Sequence, residues 1–198
     1  MAVVEPRLVR QLAFLLELDR LKGVLRQSLL LDSSRRENDA EHSWHLALMA
    51  LVLAEYAAEP VDLAHAVQLV LVHDIVEIDA GDTYLYDEVG ARDKEAREAA
   101  AADRIFGLLP GDQGLALRAL WAEFEARTTA EARFAAALDR LQPLLHNFHT
   151  EGASWKAHGV TRDQVLAKCQ GIASGSPALW DYACELIATA VERGYLPV

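Results

Sequence analysis

Apolar and polar positions recur along nearly the whole chain at the three- and four-residue spacing of amphipathic helices, and no segment sustains strand-like alternation. Leu8, Leu12, Leu15 and Leu16 fall on one stripe of a first helix expected over residues 5–27. Residues 30–36, rich in small and charged side chains, end it as a loop. Asn38 followed by Glu41 has the form of a capping box and starts a second helix that reaches residue 58. Pro60 suits the first turn of a third helix, where its missing N–H costs nothing, and that helix runs to Asp79 before Gly81. Residues 81–90 read as a polar loop holding Tyr84 and Tyr86, followed by a charged helix over 91–108. Pro110-Gly111 marks a turn before a helix over 113–126. Thr128 with Glu131 forms a second capping-box pattern and opens a helix to His149. Residues 152–159 read as a loop, and two last helices are expected over 161–173 and 177–194.

Composition agrees with this pattern. Of 198 residues 52% are hydrophobic and 25% charged, with only 11 glycines and 6 prolines, a balance that favours helices over strands. No repeat, low-complexity tract or linker divides the chain, so one all-α domain over residues 1–198 is expected. A net charge of −11 repels phosphate backbones and argues against nucleic-acid polymers as partners; a small phosphorylated substrate stays compatible, because a cation or an arginine reverses the field locally. Cys169 and Cys184 lie outside any Cys-x-x-Cys pattern, which suggests reduced packing thiols. Residues 1–10 lack the apolar run of a signal peptide, and no stretch of about 18 apolar residues exists, so a cytoplasmic protein without membrane contact is expected.

Three segments carry candidate chemistry. In Leu69-Val70-Leu71-Val72-His73-Asp74-Ile75-Val76-Glu77, four apolar residues lead directly into His73 and Asp74, and Glu77 lies one helical turn on. Burying carboxylates in such company is costly unless a cation compensates them. In Asn38-Asp39-Ala40-Glu41-His42-Ser43-Trp44-His45, His42 and His45 share a helix face and either is a possible ligand; the plain alternative is a histidine packed under Trp44. In Ala135-Ala136-Ala137-Leu138-Asp139-Arg140-Leu141, Asp139 is a lone acid in an apolar run, explained equally by an ion pair with Arg140. Pro143 cannot donate to the Asp139 carbonyl and predicts a kink beside it.

Together, these segments resemble the HD superfamily of metal-dependent phosphohydrolases, in its 5′-deoxynucleotidase-like branch. Arg36-Glu37-Asn38-Asp39-Ala40-Glu41-His42-Ser43 is similar to the first-histidine motif of that branch, His73-Asp74-Ile75-Val76-Glu77 with Gly81-Asp82 to its second, and Asp139-Arg140-Leu141 to its third. The likeness covers residues 12–149, with the helices over 161–194 packing on that unit. It implies an HD-domain bundle and a divalent cation held by His42, His73, Asp74 and Asp139. Two imidazoles and two carboxylates suit Mn²⁺, Co²⁺, Fe²⁺ or Zn²⁺, and Mg²⁺ stays in the set. The resemblance also implies proton transfer by Glu77 and Asp82, and phosphate binding by Arg26, placed at the end of the first helix; Arg35 and Arg36 are weaker candidates.

The implied reaction is release of phosphate from a 5′-nucleoside monophosphate. Two departures touch the sugar preference: Gln27 follows Arg26 where the family has a tryptophan, and Thr83-Tyr84-Leu85-Tyr86 lacks the family proline. Rival readings are another phosphoester (a cyclic nucleotide, a pyrophosphate or a nucleoside triphosphate) and a non-catalytic metal-binding module, for which Glu77 and Asp82 would be superfluous. The polar and aromatic stretch Leu145-His146-Asn147-Phe148-His149, with Trp155 and His158, is a candidate pocket lining, and residues 178–190 are a candidate face for a homodimer.

Overall fold

The computed structural model describes residues 5–198; the first four positions of the expected leaderless N-terminus lie outside them. The chain is a helical bundle with one small hairpin. Helix α1 (Pro6–Glu17) is followed by a 3₁₀ segment, Leu18–Gly23, and by strands β1 (Leu25–Leu29) and β2 (Arg36–Asn38). These strands pair antiparallel, Leu25 opposite Asn38 and Leu29 opposite Arg36, with an irregularity between. Helices α2 (Asp39–Leu53), α3 (Leu63–Val72), α4 (Glu77–Ala80), α5 (Lys94–Phe106) and α6 (Gly111–Ala126) come next. Then come α7 (Ala130–His149), α8 (Ala153–His158), α9 (Arg162–Cys169), α10 (Ile172–Gly175) and α11 (Pro177–Glu192).

The caps explain several boundaries. Asn38 and Glu41 form the expected reciprocal capping box on α2. Helix α3 starts at Leu63, after the Pro60 expected in its first turn, and Asp62 caps it, accepting from the amides of Ala64 and His65. Thr129, not Thr128, caps α7. Thr161 and Gln164 form a further capping box on α9. The expected first helix stops ten residues early: Gly23 closes the 3₁₀ segment and the chain turns into β1, so Arg26 lies on a strand. The region expected as a loop between Gly152 and Gly159 contains α8.

Two apolar clusters form the interior. The larger gathers Leu46, Leu69, Val70, Phe134, Leu138, Leu141 and Trp155 around α7. The smaller joins Phe14 and Leu21 to Val72, Ile75, Val76 and Ile78 and to Ile105 and Phe106 of α5. The chain crosses from one to the other at residues 70–75. The leucine stripe of α1 does not join either core: Leu8, Leu12, Leu15 and Leu16 are exposed, as are Trp44, Leu48, Leu51 and Val52 of α2. The candidate dimer face on α11 instead turns Leu179, Ala183, Leu186, Ile187 and Ala190 into the chain's own core.

Helix α10 lies against α7 so closely that a Cβ on Gly175 would stand 2.2 Å from the Arg133 carbonyl oxygen and 2.8 Å from the Ala137 Cβ. Both neighbours belong to a rigid helix and cannot yield without backbone movement. Gly175→Ala is expected to cost about 3 kcal/mol, the upper end of ordinary overpacking, read as a shift in the urea midpoint.

Candidate metal centre

The crossing segment places the chemistry between the two clusters. Helix α3 ends at Val72, and tight turns follow in which the Ile75 amide donates to Val72 and that of Glu77 to Asp74. At that helix end the Val70 carbonyl accepts a bond from His73 Nδ1 at 2.8 Å. This fixes the ring with Nε2 as its free face, toward the interior. His42, on the buried side of α2, offers its own Nε2 3.0 Å from Oδ1 of Asp139, which projects from the middle of α7. His73 Nε2 lies 3.1 Å from Asp74 Oδ1 and 3.7 Å from Asp139 Oδ1.

Donors that share one cation at bond lengths near 2.1 Å stand roughly 3.0–3.5 Å apart, so these spacings suit the edges of a coordination shell. His42, His73 and Asp139 each present a ligand atom within 4.8 Å of the others, and all three are buried. His73 Nε2 is buried with no hydrogen-bond partner among the described residues, and a cation there would take the place of the proton that its acidic neighbours favour. Asp74 flanks the trio and divides its oxygens: Oδ1 faces His73, while Oδ2 accepts from Arg26 at 2.8 Å and lies 3.9 Å from His42 Nε2. The donor set therefore fits a borderline divalent ion, with His42, His73 and Asp139 at its centre and Asp74 at its edge.

Electrostatics sort the surrounding groups. Burial, reinforced by Arg26, lowers His42 to about 4 and keeps it neutral. Burial also disfavours a charge on His73, but Asp74 and Asp139 outweigh it and hold that ring up to about 10. Asp139 stays well below the usual carboxylate range despite its burial, because Arg140, His42 and His73 surround it. Arg140 bonds Asp139 Oδ2 at 2.7 Å, so the ion pair and the ligand position coexist on one carboxylate. Glu77 is the opposite case: burial and the charges of Asp74, Asp39 and Asp82 push it well above its ordinary value. Asp39 is raised to about 7, first by burial and then by Asp74, and burial raises Asp82. Asp39, Glu77 and Asp82 form a second tight group of acids beside the first.

Arg26 reaches from β1 into this arrangement, donating to Asp39 at 3.0 Å as well as to Asp74. A cleft of about 250 Å³ opens over the group and is bordered by Arg26, Gln27, Glu77, Asp82, Tyr84 and Asn147, among others.

The HD domain family model matches residues 18–180. The chain belongs to the HD domain family. A crystal structure described as a predicted metal-dependent phosphohydrolase, from Magnetospirillum magnetotacticum MS-1, is 59% identical; the match covers 100% of this chain and 99% of that one, with a TM-score of 0.95. The human protein 5′-deoxynucleotidase HDDC2 is 33% identical over 135 residues, which are 68% of this chain and 65% of its own length. The Bos taurus protein of the same name is 34% identical over 135 residues, 68% of this chain and 64% of its own. The match thus spans just under two thirds of either relative. The PH0347 protein of Pyrococcus horikoshii OT3, at 19% identity and a TM-score of 0.62, shares the fold, with 92% and 99% of the two chains covered.

Within this HD domain the sequence-derived residues separate clearly. His42, His73, Asp74, Asp139, Glu77, Asp82 and Arg26 converge on one centre. His45 does not: it lies on the other side of Gln142 with Glu37 and His146. Arg35 is bound to Glu41 and Arg36 is exposed on β2, so neither serves the cleft. Of the candidate lining, Asn147 and Trp155 border the cleft, while Phe148 packs toward Tyr195 and His146 faces Gln142. Burial raises the Cys169 thiol to about 11 and Cys184 is half-buried; both are free. Asp39, fully buried between Arg26 and Glu77, went unnoticed in the sequence, although it lies one turn before His42 on the same helix face.

Proposed function

We propose that this chain, a metal-dependent phosphohydrolase of the HD family, releases inorganic phosphate from 5′-nucleoside monophosphates. The observation that carries the reading is the buried His42–His73–Asp139 donor set opening, through Asp74, onto a cleft that also holds Arg26 and Glu77. When bound, a divalent cation (Mn²⁺, Co²⁺, Fe²⁺, Zn²⁺ or Mg²⁺) supplies Lewis acidity toward a phosphoryl oxygen and toward water. The remaining chemistry falls to side chains. Arg26 offers a planar fork to the phosphate, with the buried Nε free of other partners among the described residues. Glu77, whose burial and acidic neighbours favour its protonated form, is suited to give a proton to the departing alcohol oxygen, and Asp82 to take one from water.

The nucleotide assignment draws support from the names of the two mammalian relatives and from the size of the cleft, which suits a single metabolite and not a polymer. Gln27 borders the cleft beside Arg26, so an amide side chain lines it at the position where the family has a tryptophan. The test is phosphate release from a panel of ribo- and deoxyribonucleoside 5′-monophosphates, using metal-stripped protein with each cation restored singly. Release of pyrophosphate from triphosphates, with none from monophosphates, would overturn the assignment in favour of another phosphoester.

Arg26 provides a sharper check. Arg26→Ala removes charge-assisted bonds worth about 1.5–3 kcal/mol each, so kcat/KM is expected to fall about 10- to 100-fold. Arg104 instead bonds Glu17 and Asp79 at the surface, and Arg104→Ala is expected to change kcat/KM less than twofold. Equal losses in the two variants would remove Arg26 from the phosphate site.

No described helix is long and apolar enough to cross a membrane. A second copy of the chain remains the partner proposed; the exposed apolar rows of α1 and α2, not α11, supply the surface for it.

A further inference from the structure

Glu37, His45 and His146 present donor atoms within 4.8 Å of one another, the donor types of a second cation site. Its centre is already filled. The side-chain amide nitrogen of Gln142 lies 2.7 Å from Glu37 Oε1, 3.0 Å from His146 Nε2 and 3.4 Å from His45 Nδ1. An amide –NH₂ thus occupies the position that a cation would take, and the other end of the same amide faces the metal centre: Gln142 Oε1 lies 3.1 Å from His42 Nδ1.

Followed outward from the Leu29 carbonyl, the hydrogen bonds of this network run in one direction. The Leu29 carbonyl can only accept, so His146 Nδ1 donates to it at 2.9 Å. On a neutral ring that leaves His146 Nε2 as an acceptor, which takes one hydrogen of the Gln142 amide. Glu37 Oε1 takes the other. Either protonation state of Glu37 leaves an acceptor there. With both hydrogens committed, Gln142 turns its oxygen toward His42 Nδ1, which then donates; His42 Nε2 is left as a lone pair 3.0 Å from Asp139 Oδ1, a meeting of two acceptors that a cation between them would relieve.

We infer that Gln142, locked by Glu37 and His146, is a positioning residue that holds His42 in the tautomer able to ligate the cation. This rests on His42 being a metal ligand, as in the functional reading above. An amide has two nearly isosteric ends, and a turned Gln142 would offer N–H to Nδ1 and push the ring proton onto Nε2, where it blocks the metal. Glu37 and His146 prevent that turn. Gln142 stands three residues after Asp139 on α7, so one helix face carries a ligand and the group that orients another ligand. All three members of the lock are buried: Glu37 is 2%, Gln142 0% and His146 4% exposed.

The test measures metal affinity, not turnover. Metal-stripped protein is titrated with Co²⁺, followed by its visible absorption, for the wild type, Gln142→Leu, Glu37→Leu and Glu37→Gln. Loss of an outer partner of a ligating histidine typically costs 10- to 100-fold in metal affinity, and Gln142→Leu is expected to raise the Co²⁺ Kd by that factor. Glu37→Leu frees the amide to turn and is expected to raise Kd about tenfold. Glu37→Gln keeps an oxygen acceptor for Gln142 and is expected to stay within about threefold of the wild type. In Zn²⁺-loaded, ¹⁵N-labelled protein, the slowly exchanging His42 Nδ1–H should persist in Glu37→Gln and vanish in Gln142→Leu. Wild-type affinity in a folded Gln142→Leu protein would overturn the inference. If that variant does not fold, equal affinities for Glu37→Leu and Glu37→Gln would do so. Because nucleotide hydrolysis plays no part in the measurement, a failed substrate assignment leaves this result readable.

Discussion

Glu77→Gln is expected to lower kcat for phosphate release by about 10²- to 10⁴-fold, the range of a lost general acid or base, while the protein still takes up Co²⁺. The argument starts from the tight turns after α3, which bring Glu77 beside Asp74 without making it part of the His42–His73–Asp139 set. Burial and three neighbouring carboxylates favour the protonated acid, and Glu77 Oε2 has no hydrogen-bond partner among the described residues. Glutamine preserves shape and donor capacity but carries no acidic proton, so only the proton-transfer role is removed. A fall in kcat with nearly constant KM would match a group acting in the transition state. If Glu77→Gln instead abolishes metal uptake, Glu77 is a ligand and the proton must be handled elsewhere, Asp82 being the next acid in the cleft.

Asp139→Ala is expected to have three effects: loss of metal uptake, loss of phosphate release, and destabilisation of the chelator-treated protein by about 3 kcal/mol or more. The first two follow from its central place, with Oδ1 within 3.7 Å of both ring nitrogens. The third follows from what would be left behind. Asp139 is the buried counter-charge for Arg140 at 2.7 Å, lies 3.9 Å from the Arg26 guanidinium, and helps hold a proton on His73. Removing it strips Arg140 and His73 of a buried counter-charge, and breaking a buried pair costs more than the pair itself contributes. Metal content by elemental analysis and urea unfolding in chelator separate the effects. A variant that still binds one equivalent of metal would take Asp139 out of the site.

The residues of the candidate metal centre were legible in the sequence because of where they stand relative to apolar helical runs. His73 and Asp74 end one, Asp139 sits inside another, and His42 follows a capping box; such placements need compensation that spacing alone exposes. Glu77 was legible from its one-turn offset. Choosing His42 over His45 required the resemblance, because both share a face of α2 and only tertiary packing puts one against Asp139 and the other against Gln142. Arg26 was assigned the right neighbourhood but the wrong element, since Gly23 stops the helical course and the short hairpin after it has too few residues to alternate visibly. The Glu37–Gln142–His146 lock could not be read at all: its members come from a strand and a helix about a hundred residues apart, and each looks like an ordinary polar position on its own. Helix α8 was missed because its six residues are flanked by Gly152 and Gly159, whose left-handed backbones look like loop signals in a sequence.

The crossing of the chain between its two apolar clusters makes the metal centre a rivet. His42 and Asp139 are fixed to the α7-centred cluster, while the segment after His73 belongs to the one built on α1 and α5. A cation held by His42, His73 and Asp139 at this junction would be bound fully only while the folded arrangement around it is intact. Its binding energy therefore becomes clamping energy, about 4 kcal/mol when free metal exceeds its Kd a thousandfold. Metal supply would then bear on the stability of the junction, as well as on whether the centre is chemically competent.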